Sequence, residues 1–377
     1  MERYLQSYIQ KDLSHKIVLL SGPRQVGKTT LSKSITKSFD YFNWDVSEDR
    51  ISLKDKSWDR KKELIIFDEI HKMPKFKSWL KGIYDKEGVH PRIIVTGSAR
   101  LDIAKKMGDS LAGRFFPYRL HPLDLWELSK EKNLDDTYQR LTTCSGFPEP
   151  YLSNDPQFYR RWSLSHLDLI LRQDLLDLEN VRSILKIETL IALLRTRVGS
   201  SISFSNLARD LEVDAKTVKN WLTILENLFV IFKVIPFHKN IARSILKEPK
   251  YYFYDVVQVE GSEGVVFENF VALALKKQID YIQDTQGIRS ELHYLRTKDG
   301  NEIDFYVDIQ EHAGLMIECK LSDDRRSKDF STFIPKIKNV HSIQLVKNLT
   351  REKTYPDGLE IRSALKWLKN INLLQER

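Results

Sequence analysis

A chain of 377 residues with 60 lysines and arginines against 52 aspartates and glutamates, net charge +8, is too long for one compact core and implies two or three domains. A hydrophobic share of 41% and a charged share of 30% exclude a disordered chain, and no apolar stretch approaches the ~20 residues of a membrane span. Two distant cysteines, Cys144 and Cys319, exclude a disulfide scaffold and show no metal-ligand spacing. With no basic-then-apolar signal pattern after Met1, the expectation is a cytoplasmic protein without a membrane partner. The small positive excess, both signs interspersed, permits nucleic-acid binding without demanding it.

The first informative segment is Gly22-Pro23-Arg24-Gln25-Val26-Gly27-Lys28-Thr29, a complete G-x-x-x-x-G-K-[ST] loop preceded by the apolar run Ile17 to Leu20. Gly22 and Gly27 let the backbone wrap a β-phosphate with its N–H groups pointing inward. Lys28 supplies a point charge on the β- and γ-phosphates, and the Thr29 hydroxyl is placed to ligate Mg²⁺. A buried-strand pattern before the loop and helical composition from Thr29 to Lys37 after it give the motif its strand–loop–helix context.

Further on, Leu64-Ile65-Ile66-Phe67 ends in Asp68-Glu69, the form of a buried parallel strand delivering acids at its carboxyl end. Asp68 is expected in the Mg²⁺ shell, and Glu69 as the group that orients and deprotonates the attacking water. The next strand, Arg92 to Thr96, leads to Thr96-Gly97-Ser98-Ala99-Arg100, where Thr96 or Ser98 would sense the γ-phosphate. Arg114, closing Ser110 to Arg114, and Arg100 are alternatives for an arginine finger on a neighbour's nucleotide, a role that requires a homo-oligomer.

From Leu128 to Leu194 the pattern is helical, interrupted at Gly146-Phe147-Pro148-Glu149-Pro150, which reads as a hinge. A helix-turn-helix follows: Ser205 to Leu211, a turn at Glu212 to Asp214, and Ala215 to Phe229 with Val218, Trp221, Leu222, Leu225 and Leu228 on one face. Lys216, Lys219 and Asn220 stand away from that face, where they would meet DNA. The runs Val230 to Pro236 and Tyr251 to Tyr254 are expected as wing strands, with Lys239, Arg243, Lys247 and Lys250 between them as a basic wing loop consistent with contact to the DNA backbone. The alternative is a packing module or lid.

Near the end, Asn301 to Val307 alternates and presents Asp304, while Leu315 to Lys320 presents Glu318 and Lys320 on one face. Asp304 and Glu318 are expected to share a Mg²⁺, with Lys320 orienting a water or stabilising a pentavalent phosphorane.

Gly22 to Thr30, Leu64 to Glu69, Thr96 to Arg100, Ser110 to Arg114 and Gly146 to Pro150, in this order, resemble prokaryotic AAA-type ATPases whose carboxyl-terminal half is restriction-endonuclease-like. The resemblance spans essentially the whole chain. It implies an α/β fold: an ASCE-type P-loop core with a parallel sheet (1–127), a helical linker or lid (128–198), a winged-helix segment (199–258) and a PD-(D/E)XK nuclease-like α/β domain (259–377). It also implies that Thr30 joins the nucleotide-binding residues, that the nucleotide is ATP rather than GTP, and that Glu268 is the supporting acid of the second metal set. The resulting expectation is a Mg²⁺-dependent ATPase that acts on DNA, branched DNA included, by remodelling or translocation, with a nuclease-like carboxyl-terminal domain that binds DNA and carries Asp304, Glu318 and Lys320 as a candidate cleavage set. A regulatory switch binding protein partners, with a silent nuclease-like scaffold, is the alternative.

Overall fold

The computed structural model describes residues 2–98, 111, 113–174, 184–238 and 248–375. Arg100, Ser110, Lys239, Arg243 and Lys247, singled out above, lie outside the described residues. The chain divides into two units. The first comprises the described residues of Met1–Pro122, Leu164–Val181 and Asn227–Phe229, and the second those of Leu123–Ser163, Arg182–Glu226 and Val230–Arg377.

The first unit is built on short apolar strands: β1 (Ile17–Ser21), β2 (Phe39–Asn43), β3 (Leu64–Asp68), β4 (Arg92–Gly97) and β5 (Phe115–Arg119). Among the described residues they form one parallel sheet in the order β2-β3-β4-β1-β5. β3 is buried along its whole length, as its unbroken apolar run requires of a strand covered on both faces. β4 lies between β1 and β3, and the register sets Ser21 opposite Gly97 and Asp68 opposite Thr96. Three strand ends are thereby level, which is what brings separate motifs to one edge. Trp58, Phe67 and Trp79 pack edge-on beneath them, with ring centroids 5.2 to 6.0 Å apart. Helix α1 (Gln6–Asp12) seats Leu5, Ile9 and Leu13, four residues apart, in the interior.

In the second unit, helices α2 (Leu134–Thr143), α3 (Pro148–Ser153), α4 (Ile184–Arg195), α5 (Phe204–Asp210) and α6 (Ala215–Asn227, through Glu226) precede the strands. The turn between α5 and α6 ends at Asp214, whose carboxylate accepts from the backbone N–H and the hydroxyl of Thr217. Val218, Trp221, Leu222 and Leu225 are buried, as their helical spacing dictates. The segment read as a hinge is not one. Pro148 occupies the first turn of α3, Phe147 is buried against Trp162, and Glu149 accepts from the Trp162 indole at 3.2 Å. The division between the units falls earlier, after Pro122.

The strands β6 (Ile231–Pro236), β7 (Lys250–Phe253), β8 (Ser290–Arg296), β9 (Glu302–Ile309), β10 (Gly314–Lys320), β11 (Val340–Val346), β12 (Lys353–Thr354) and β13 (Leu359–Ser363) form a mixed sheet, in the order β12-β13-β11-β10-β9-β8-β6-β7. The hairpin of β6 and β7 thus joins the carboxyl-terminal sheet through a short parallel pairing, Ile235 with His293 and Pro236 with Tyr294. The sheet runs across the 258/259 boundary read from the sequence. Helix α7 (Glu263–Gln286), whose buried stripe Ile279 and Ile282 extend, ends at Gly287. Among the described residues no helix is long and apolar enough to cross a membrane.

Candidate functional site

The phosphate loop follows β1 directly, and its conformation explains its glycines. Gly22 has φ +153°, and a Cβ there would lie 2.3 Å from the carbonyl oxygen of Leu120. Gly27, also at positive φ, starts the helix Lys28–Ser34. Lys28 is buried and donates to the carbonyls of Gly22 and Pro23 at 3.0 and 2.7 Å, so its ammonium stands within the loop it is expected to serve. Val26 is fully buried, Arg24 is partly covered, and Thr30 and Gln25 are exposed, Gln25 at positive φ.

Two contacts that the motif does not announce brace this loop. Arg3 donates to the carbonyls of Val26 and His121 at 2.7 and 2.6 Å, and the buried His166 places its Nε2 3.1 Å from the carbonyl oxygen of Arg24. Burial pushes the His166 imidazole down to about 4, with the nearby Arg24 and Lys28 charges acting in the same sense and the Arg24 carbonyl opposing.

The acids sit at the level strand ends. The Thr29 hydroxyl donates to Asp68 Oδ2 at 2.9 Å, and the Tyr41 phenol donates to the same oxygen at 2.8 Å. Burial and the Asp68 carboxylate raise the Tyr41 phenol, which stays protonated and remains a donor. The Thr96 hydroxyl donates to Asp68 Oδ1, whereas Ser98 donates to Glu69 Oε2 at 3.4 Å. The two hydroxyls that sequence left as alternatives therefore serve different carboxylates. Glu69 itself has φ +52°, and its carboxylate also lies 3.5 Å from His71 Nδ1. Burial raises the Glu69 carboxyl above the usual carboxylate range, Lys28 opposing and Asp68 reinforcing. Arg114 pairs with Asp85 at 2.7 Å on the surface, a contact worth no more than about 1 kcal/mol.

Thr29 and Asp68 offer neighbouring oxygens of the hard type that Mg²⁺ prefers, so they fit that ion. A parallel sheet with a glycine-bounded loop after one strand and paired acids after another defines a P-loop NTPase domain.

A family model agrees for the first part of the chain. Residues 14–129 match the family model described as AAA domain, which assigns an AAA-type ATPase domain to this part of the chain. Residues 135–257 and 263–364 match two models described as domains of unknown function, DUF8612 and DUF4143. The chain is 26% identical over 307 residues to an uncharacterized protein of Mycobacterium tuberculosis, covering 78% of this chain and 68% of the relative. It is 22% identical over 368 residues to an uncharacterized protein of Methanocaldococcus jannaschii, covering 88% of this chain and 80% of the relative. A solved structure from Pyrococcus horikoshii, a Signal Transduction ATPase with Numerous Domains (STAND) protein with a tetratricopeptide repeat sensor, aligns at 15% identity with a TM-score of 0.22. That alignment covers 74% of this chain and 46% of the other.

In the second unit, Lys216, Lys219 and Asn220 are all exposed on α6. The carboxyl-terminal acids do converge. Asp304 Oδ2 accepts from the Cys319 N–H at 2.8 Å, the Asp304 N–H donates to Glu318 Oε2 at 3.4 Å, and Lys320 Nζ donates to Glu318 Oε1 at 2.7 Å. Burial, then Glu318 and Glu268, hold the Asp304 carboxyl well above its ordinary range. Glu268 accepts from the Tyr252 phenol at 2.7 Å and faces Lys250 at 3.7 Å; Lys250 also pairs with Glu302. Among the described residues, no group of three or more His, Cys, Asp or Glu side chains is arranged to hold a metal ion.

Lys250, read from the sequence as a basic wing residue, is buried and so cannot meet a DNA backbone, whereas Tyr252, Glu302, Tyr41, His166 and Arg3 were not singled out as functional by sequence. Only Tyr41 carried a signal, because it stands in the strand next to β3 and two residues before a polar strand end.

Proposed function

We propose that this protein is a Mg²⁺-dependent ATPase directed to DNA. The observation that carries the reading is the gathering of Lys28, Thr29, Asp68 and Glu69 at one edge of a parallel sheet. In it, Lys28 binds the β- and γ-phosphates, Thr29 and Asp68 hold the metal, and Glu69 positions and deprotonates the attacking water, itself oriented by Ser98. Mg²⁺, when bound, neutralises charge on the phosphates. Burial raises the Glu69 carboxyl, which makes its carboxylate a better proton acceptor than an exposed one.

DNA as the partner rests on the helix-turn-helix and the strands that follow it. The α5–α6 pair, the β6–β7 hairpin and the bridge of Ser201 to Lys250 support a winged helix over 199–258, with Lys216, Lys219 and Asn220 on its solvent side. Helix α7 followed by the mixed sheet supports a restriction-endonuclease-like region over 259–377. The test is ATP turnover with and without duplex, single-stranded and branched DNA. Stimulation by any of them is expected; unchanged turnover together with no DNA binding overturns the DNA reading and leaves the ATPase.

The second reading, a regulatory NTPase switch with a silent nuclease-like scaffold, is favoured by one observation. The acids of the carboxyl-terminal cluster are engaged by lysines of the same chain. ATP-dependent capture of a protein partner, with no effect of DNA, would select it.

A further inference from the structure

The D…E-x-K pattern of Asp304, Glu318 and Lys320 invites a divalent cation, but the residues around it do not fit one. Lys250 opens β7, and its side chain is 2% exposed. Its ammonium lies between Glu268 and Glu302, 5.2 Å from the ring centre of Tyr294. A buried ammonium survives only with close counter-charges, and these two carboxylates supply them.

The remaining acids are engaged as well. Glu302 has a second cation in Arg296, at 3.6 Å, and Glu318 has Lys320. Glu268 is hemmed in from a third direction, because a Cβ on Gly199 would lie 2.8 Å from both of its carboxylate oxygens. Gly199 is at φ +74°, a conformation in which glycine is favoured, so the backbone and the carboxylate approach each other as closely as the chain allows. A divalent ion ligated by Glu268 would have to share this space with the Lys250 charge, and like charges at such distances repel strongly.

We infer that the Lys250 ammonium takes the place of the metal ion, so that Glu268, Glu302 and Glu318 with Lys250, Arg296 and Lys320 form an internally neutralised ion cluster beside Asp304 and not a divalent-cation site. Metal-dependent phosphodiester cleavage then has no seat in this region. The cluster instead ties the hairpin strand β7 to α7 and β9. The inference concerns residues outside the nucleotide site and stands whether or not the ATPase is directed to DNA.

The test is a titration of the full-length, nucleotide-free protein with Mn²⁺, following free Mn²⁺ by electron paramagnetic resonance. In wild type, no Mn²⁺ site that Asp304→Asn removes is expected; any site that disappears with Asp68→Asn belongs to the nucleotide end. Lys250→Ala is expected to create a site, or tighten binding at least ~10-fold, and Asp304→Asn in that background is expected to abolish the gain. If Lys250→Ala does not fold, Lys250→Gln keeps most of the stem and removes the charge. A wild-type Mn²⁺ site that disappears with Asp304→Asn overturns the inference, as does a folded Lys250 variant that gains no Mn²⁺.

Discussion

His166 reaches the phosphate loop with one nitrogen, its Nε2 lying 3.1 Å from the carbonyl oxygen of Arg24. The neutral ring donates there, while the protonated ring would be a buried charge near Lys28 and Arg24.

This relationship makes stability depend on acid in a stated direction. The folded pKa of about 4 lies below the ordinary 6.5, so the unfolded chain binds the proton more tightly between those values. Stability from this group is fully present above pH 6.5 and is lost as pH falls to 4, by up to about 3 kcal/mol. His166→Gln keeps a donor but does not titrate. Urea midpoints at pH 7.5 and 5.0 are expected to differ less for the variant than for wild type; an equal difference refutes the assignment.

Lys28→Ala is expected to abolish nucleotide binding, whereas Glu69→Gln retains ATP and slows turnover by at least ~100-fold, the scale of a lost general base. Because burial raises the Glu69 carboxyl, wild-type turnover falls on the acid side at a pH above the ordinary value of about 4.3. Equilibrium binding and steady-state rates separate the two variants. Full turnover by Glu69→Gln would remove Glu69 from the chemistry.

Tyr41→Phe deletes the phenol that donates to Asp68 Oδ2 and leaves the ring in place. Groups that orient a metal ligand typically change metal affinity by ~10-fold or more. The expected result is a higher Mg²⁺ requirement for turnover, with the rate at saturating Mg²⁺ nearly retained. A Mg²⁺ titration identical to wild type would show that Thr29 and Thr96 suffice to orient Asp68.

Lys216→Ala with Lys219→Ala is expected to weaken DNA binding and to reduce the log–log salt slope by ~0.9 for each phosphate no longer neutralised. Both residues are exposed, so folding is preserved and a melting curve serves as the control. Affinity unchanged across the salt titration favours the lid reading of the helix-turn-helix.

Local patterns foretold local structure. The octapeptide from Gly22, the apolar run ending at Asp68, and the spacing of Val218, Trp221, Leu222 and Leu225 each encode their element within a few residues, and each formed as read. Partnerships over long separations were not legible. His166 and Arg24 are 142 residues apart, and a histidine in an amphipathic helix gives no sign of its carbonyl partner. Lys250 reads as one more charge in a basic loop; only the pairing of β6 with β8 and the packing of β7 turn it inward. The Gly146–Pro150 segment misled for a related reason. Prolines that break one helix also begin another, and composition alone does not say which.

The strand ladder from β7 to β12 has a consequence for how this chain is cut or inherited. A fragment starting at residue 259 would leave β8 as a bare edge with unpaired backbone groups, and would strip Glu268 and Glu302 of the Lys250 charge. Such a fragment is expected to self-associate through that edge, whereas one starting before the hairpin carries its own cover. The two stretches matched separately as domains of unknown function thus share one sheet, and a cut or an exchange between them would break it.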